Sequence, residues 1–341
     1  MLLIEDSRSK KDFKSISFSG YKKSSVAKEL SKSIMVKRIE DVLYWTAELI
    51  CSGHFLDLWE TIFNAYTQHI HLGNPKMSIY LYARYNDFKN IVTNGYVDRE
   101  LILRNNENIR HIFAEIMYML CYSRKKYALQ VLKISLEEIH LSNITHLFVA
   151  DNIHYVDNIF STDDPKELFI PLNELAYNLS KKVKSSHNCS YWLEWILTYE
   201  KICKKKKQPL IARVRTHVPV HSSFQTDIIW IIWDIILQNI KSSSQTPKKI
   251  IDSLYRLFCI RYSTNTKQKR KMMLYCAFLF MCDNVDLTLP MNQSTTSFAD
   301  IKKGLPKIYQ RVKKSENQES TTSSENVQKT SKKLDILNSL T

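Results

Sequence analysis

NNENIRHIFAEIMYMLCY, residues 105–122, decides the fold class. Asn105 or Asn106 stands as a helix N-cap, and Ile109, Ile112, Phe113, Ile116 and Leu120 follow at the three-and-four spacing that lines one face of an α-helix. The same period runs outward in both directions. Upstream, Val26, Leu30 and Ile34, then Ile39, Val42, Leu43, Leu49 and Ile50, predict helix from Val26 to a C-terminal cap at Gly53. A second helix is predicted from Asp57, with Trp59, Ile62, Phe63, Tyr66 and Ile70 on one face, up to the breaker Gly73-Asn74-Pro75. A third spans Pro75 to Val92, and after the quoted stretch residues 125–140 read as a fifth. Residues 141–165 mix turn formers with β-prone stretches and have no steady period. Helical patterning resumes at Pro165 and runs to Cys282, with breaks from Gln208 to His221 and from Lys241 to Pro247.

The expected fold class is therefore all-α, with two related helical lobes. Residues 1–24 read as a flexible leader, 25–140 as the first lobe, 141–164 as a connector, 165–289 as the second lobe, and 290–341 as a flexible Ser-, Thr- and Lys-rich tail in which Leu334 to Leu340 form a short docking helix. The two lobes share a series of signals in the same order. Lys28-Glu29-Leu30 precedes Tyr44-Trp45 in the first, and Asn173-Glu174-Leu175 precedes Tyr191-Trp192 in the second. Asp57 leads through Pro75 to Phe88, and Asp227 through Pro247 to Phe258; the last helix of each series ends at Cys121 and at Cys282. Shared order points to a tandem repeat.

The chain has 341 residues, 44% of them apolar, enough to build a sizeable core without staples. Seven cysteines without close pairing signal neither a disulfide framework nor a zinc site, and fit a reducing compartment. In MLLIEDSRSKKDF the apolar residues come before the charges, the reverse of a secretion signal, so an intracellular protein is expected. The longest apolar run, IIWIIWDIIL from Ile228 to Leu237, is about half of the roughly 20 residues that cross a bilayer, and reads as a buried helix. The five glycines are too scattered for a phosphate-cradling loop, which argues against a self-contained nucleoside-triphosphatase.

A net charge of +15 favours polyanionic partners, nucleic acid or anionic lipid. An AT-rich genome also yields such a Lys-rich composition, so charge alone leaves a solvated basic surface open. The sharpest concentration is EKICKKKKQPLIARVR, residues 200–215, where Lys201, Lys204, Lys205, Lys206, Lys207, Arg213 and Arg215 gather at a helix end and the loop after it. Lys267, Lys269, Arg270 and Lys271 extend the candidate nucleic-acid site, as do Lys22-Lys23 and Arg124-Lys125-Lys126. A solvated loop and a targeting or partner signal are the competing readings. The six tryptophans, Trp45, Trp59, Trp192, Trp195, Trp230 and Trp233, fall on apolar faces and read as core. His69 and His71, two residues apart, point to different helix faces and make a poor metal clamp. Glu48, Glu115 and Glu194 have no base or second carboxylate fixed beside them by spacing, so capping or ion-pair roles are expected and catalysis is not. No cofactor, metal or small-molecule substrate is implied.

LYWTAELICSGHF, residues 43–55, and IHLGNPK, residues 70–76, resemble the C-terminal helical domain of the replication-associated recombination protein A family, relatives of the clamp-loader ATPases. That family opens a helix with a Tyr-Trp pair, places a glycine eight residues beyond the Trp, and follows with an Ile-Gly-Leu-Ala-Asp-Pro-like turn. Here Gly53 and Leu72-Gly73-Asn74-Pro75 take those places, and residues 123–128, SRKKYA, look like the family's later Lys-Ser-Asn-x-x-Tyr-x-Ala segment. The family's acidic pair before the turn is Gln68-His69 here, and residues 1–25 carry neither its ATPase nor its lid. The resemblance implies a collar-like helical bundle that oligomerises and does no chemistry. ICSGHFLDLWE, HIHLGNPK, LRNN, DDPKELFI and NELAYNLS are also similar to an uncharacterised helical family of nucleocytoplasmic large DNA viruses, which implies a viral origin and supplies no activity.

The expected function is that of a non-enzymatic, DNA-associated accessory or scaffold of a large DNA virus, acting in replication, repair or transcription. DNA is expected before RNA as partner, with other viral proteins or further copies of the chain beside it, in host cytoplasm, nucleus, viral factory or virion. The alternative is a structural or virion-packaging protein working through protein contacts.

Overall fold

The structure is a computed structural model that describes residues 2–97, 99–241 and 244–317. Among these it is all-α: α1 (Lys23–Met35), α2 (Ile39–Cys51), α3 (Phe55–His69), α4 (Met77–Thr93), α5 (Glu107–Tyr122), α6 (Phe169–Leu179), α7 (Ser186–Lys205), α8 (Ile229–Ile240), α9 (Gln245–Cys259), α10 (Thr264–Arg270), α11 (Met272–Cys282) and α12 (Phe298–Lys313). Short 3-10 turns link several of them, and an isolated bridge joins Ile16 to Lys22. No described helix is long and apolar enough to cross a membrane.

Local sequence accounts for most of these elements. The Asn106 side chain accepts a hydrogen bond from the amide of Ile109 at 3.1 Å and starts α5, whose apolar positions Ile109, Phe113, Ile116 and Leu120 are completely buried. The helix predicted from Val26 to Gly53 is broken in two. Its apolar positions step by five between Ile34 and Ile39, which no single helix face can absorb, and the chain turns there in the left-handed region. Lys37 has φ 58°, and the Arg38 amide donates to the Ser33 carbonyl at 3.0 Å. The same closure ends α2 at Gly53 (φ 74°) and α7 at Lys207 (φ 60°), where the amides of His54 and Gln208 donate to the carbonyls of Leu49 and Cys203. A side chain is costly in that conformation, so Lys37→Gly is expected to raise the free energy of unfolding by about 0.5–1 kcal/mol. Urea denaturation reads this directly, and a lowered midpoint would mean that the lysine side chain contributes more than its backbone costs.

Three expectations are corrected. Residues 125–140 do not form a helix. The chain leaves α5 extended and crosses the α3–α4 turn, where the Lys126 amide donates to the His69 carbonyl at 2.7 Å and His71 Nε2 donates to the Tyr127 carbonyl at 3.0 Å. A Cβ on Gly73 would lie 2.3 Å from the Arg124 carbonyl oxygen, so only glycine admits this crossing. These tertiary bonds outcompete local helix propensity.

The leader is not loose either. Ile4, Phe13 and Phe18 are buried, and they form a second small core with Tyr44, Ala47, Cys51, Tyr309 and Val312. Asn105 clamps the Ile4 backbone from both sides, at 2.8 and 2.9 Å, and the Arg8 guanidinium sits 4.7 Å from the ring centres of both Phe13 and Phe18. The third correction concerns residues 290–317, which include α12, packed on α2 and α5 through Leu305, Tyr309 and Val312. Its stripe of apolar residues is narrow, and the charged residues around it conceal it in a composition count. The predicted docking helix, Leu334 to Leu340, lies outside the described residues.

The two lobes share one apolar core, because α4 packs on α9 and α11 on α3, so the 141–164 connector does not separate two folding cores. Many of the helix contacts correspond between the lobes, although α2 packs on α3 and α8 on α9 without a counterpart of that extent in the other lobe. α1 meets α2 and α3 as α6 meets α7 and α8, and α5 meets α2, α3 and α4 as α11 meets α7, α8 and α9.

Candidate nucleic-acid interface

α7 begins at Ser185, whose side chain accepts from the Asn188 amide, and buries Trp192, Trp195 and Ile196 along one face. Its last turn has no apolar surface left to cover on the outer side, and there Lys201, Lys204 and Lys205 are exposed, followed by Lys206 and Lys207 at its C-terminal closure. Cations suit this place because the helix ends in uncompensated carbonyls. The loop beyond is pinned where the Ala212 amide donates to the Thr226 carbonyl and the Arg213 amide to Asp164 Oδ1, both at 2.9 Å, while the Arg213 side chain is exposed.

α10 is brought against this end of α7 by a buried ammonium. Lys267 Nζ donates to both oxygens of Glu200, at 2.6 and 2.8 Å, and to Asp227 Oδ1 at 2.8 Å. Lys269, two residues on, faces outward and is exposed.

The eleven basic residues of the candidate site therefore separate into two groups. Lys201, Lys204, Lys205, Lys206, Lys207, Arg213 and Lys269 are exposed, without an ion pair among the described residues. Arg215, Lys267, Arg270 and Lys271 are internal. Arg215 is 3% exposed and forks onto Asp164 and Asp234; Arg270 is 4% exposed and is bound to Glu60; Lys271 donates to Glu194 at 2.7 Å. Burial alone would lower the basicity of Arg215, but its bonds to the two aspartates outweigh that and hold its pKa above the usual arginine value. These four neutralise acids inside the fold and are not part of a surface patch.

The extensions fare unevenly. Lys22, Arg124 and Lys126 are exposed, and Lys23 pairs with Asp57 at 3.0 Å. Lys125 turns inward to cap α5, donating to the carbonyls of Cys121 at 2.9 Å and Ser123 at 3.3 Å, and burial lowers its pKa to about 8.

The other singled-out residues have structural partners. Glu48, fully buried, accepts from the hydroxyls of Ser17 and Ser19 and from the Ser19 amide, which ties the leader to α2. Glu115 faces Arg84 at 3.4 Å, and Glu194 takes Lys271 together with the Tyr275 hydroxyl. Burial raises the thiols of Cys51 and Cys121, to about 12 and about 11, which keeps them protonated and unreactive near neutral pH. Trp59, Trp192, Trp195, Trp230 and Trp233 are core, as expected, whereas Trp45 is only partly buried and lines a cleft with Tyr21 and Arg311. Neither Tyr21 nor Arg311 could be singled out from sequence, because each lies in a segment read as flexible. A cavity of about 420 Å³ between α5 and α12 has mainly apolar walls, with His111 placed 3.6 Å from Glu107 on the same helix.

Comparisons with protein-family models, curated proteins and solved structures find no match for this chain.

Proposed function

We propose that this chain is a non-enzymatic, DNA-associated helical accessory or scaffold protein, acting in replication, repair or transcription, that meets its partner through the lysines at the end of α7. The observation that carries this reading is the separation of the basic residues. Among the basic residues of the candidate site, the inward ones are matched by carboxylates, whereas five lysines at one helix end, with Lys269 on the neighbouring helix, have none among the described residues. Charge left unmatched at one place is the requirement for phosphate contact. The correspondence of many helix contacts between the two lobes supports a tandem repeat, and the scaffold reading rests on that arrangement of helices.

The test is fluorescence anisotropy of labelled single- and double-stranded DNA, with the full chain and with a variant carrying alanine at 204–207, at low and moderate salt. If the lysines contact phosphates, affinity falls steeply with salt and the variant flattens the dependence on log salt by about 3 to 4 for duplex DNA. Binding that is absent, or indifferent to the four lysines, overturns the reading and leaves a protein-contact scaffold as the alternative.

A further inference from the structure

Where the leader, the α1–α2 corner and the end of α12 meet, the surface folds into a polar cleft of about 290 Å³. Its aromatic wall is Tyr21 and Trp45, with ring centres 5.4 Å apart and planes at 80°, and Tyr44 packs behind Trp45 at 5.0 Å. Tyr21 is 45% exposed although it is aromatic, and Trp45 is the tryptophan the core leaves partly open. Two rings at a right angle form a corner in which a flat ligand stacks on one ring and meets the edge of the other.

Three cations face this corner. Arg38 is engaged by Asp41 at 3.3 Å, but Lys32 and Arg311 have no carboxylate partner among the described residues. The Arg311 guanidinium lies over the Tyr44 ring at 4.3 Å, which orients it and leaves its N–H edge open to an anion. Glu29 and the Ser33 hydroxyl also line the cleft and supply an acceptor and a second polar group. A surplus of cation over carboxylate disfavours a cationic guest, which the aromatic walls alone would have admitted. A surplus this small suits one phosphate better than a triphosphate.

We propose that this cleft binds a single nucleotide unit, with the base stacked in the Tyr21–Trp45 corner and its phosphate held by Arg311 and Lys32. The unit is either a free nucleoside monophosphate or one residue of a single strand. This site is separate from the lysines of α7, and duplex DNA, whose bases are stacked inside the helix, cannot fill it.

Full-length protein is titrated calorimetrically with deoxyadenosine monophosphate, and by anisotropy with a labelled single-stranded oligonucleotide, for the parent and for Tyr21→Ala and Arg311→Glu. Both substitutions are at exposed side chains, and thermal melts confirm that the variants fold. The expected result is binding that Tyr21→Ala weakens about tenfold, the loss of one stacked base, with Arg311→Glu weakening it at least as much. Mononucleotide binding identifies a free nucleotide as ligand, and oligonucleotide binding alone identifies a strand; either, if weakened by the two variants, supports the site. No binding of either probe at millimolar concentration, or binding that Tyr21→Ala leaves intact, overturns it. The duplex titration reports on the α7 lysines separately, so the failure of one site is not mistaken for failure of the other.

Discussion

Replacing Arg270 by alanine is expected to lower the free energy of unfolding by about 3–5 kcal/mol, the usual result of removing one partner of a buried ion pair. Arg270 Nε lies 3.1 Å from Glu60 Oε1, and Nη1 donates to the Phe258 carbonyl at 3.0 Å and the Leu257 carbonyl at 3.3 Å. One side chain thus closes the C-terminal end of α9 and ties α10 to α3 across 210 residues of sequence. Alanine leaves the Glu60 carboxylate facing an apolar interface and leaves the carbonyls at the end of α9 without a donor. Glu60→Gln keeps an acceptor for the guanidinium and should cost less than half as much. Urea denaturation followed by circular dichroism measures both. Because Arg270 links the two lobes, the parent should unfold in one transition. An Arg270→Ala chain within about 1 kcal/mol of the parent would show that the pair only offsets its own desolvation.

Arg215→Ala should be comparably damaging, and its effect should depend on pH. The guanidinium donates to Asp164 Oδ1 and Oδ2, both at 3.0 Å, and to Asp234 Oδ2 at 2.8 Å, and the Asp164 side chain has no exposed surface. Burial by itself pushes the Asp164 carboxyl up, but hydrogen bonds from Arg215 and from the amides of Ser161 and Arg213 outweigh it and hold the carboxyl below its usual range. A depressed folded-state pKa contributes stability above the unfolded pKa, and this is lost as pH falls through the folded value.

In the alanine variant burial is opposed only by the amides of Ser161 and Arg213, so the folded pKa of Asp164 rises and the stability that its depressed carboxyl contributes above the unfolded pKa is reduced. The difference between parent and variant should therefore be about 3–5 kcal/mol near neutral pH and shrink as the solution is acidified, once Asp164 can take up a proton in place of its partner. Denaturation midpoints across the acid range test this, and a difference independent of pH would mean that Arg215 acts through packing alone.

These two arginines show where reading the chain reached its limit. Lys267, Lys269, Arg270 and Lys271 are indistinguishable as a basic run, yet on α10 and the start of α11 the first, third and fourth share an inward face, and Lys269 stands about 200° around the helix from Lys267. The spacing held that information. Missing was the position of the acids that make an inward cation tolerable, since Glu60, Glu194, Glu200 and Asp227 come from two other helices and a loop. The lysines at the end of α7 were legible because an exposed helix end is a local property. The Tyr21–Trp45 cleft was not, because it draws on a leader, a helix corner and a terminal helix brought together only by folding.

The amino-acid sequence by itself determined the all-α class, the placing of most helices, a cap at Asn105 or Asn106 and the burial of five of the six tryptophans, because apolar periodicity and capping act within a turn or two of the chain. Tertiary structure alone decided that residues 125–140 stay non-helical, that the leader and α12 close over α2, and which cations are paired inside and which face solvent. The reason is one of range. A helix is specified by neighbours three and four residues away, whereas whether a charge or a polar backbone segment is buried depends on partners up to a few hundred residues distant, whose positions the local pattern does not contain.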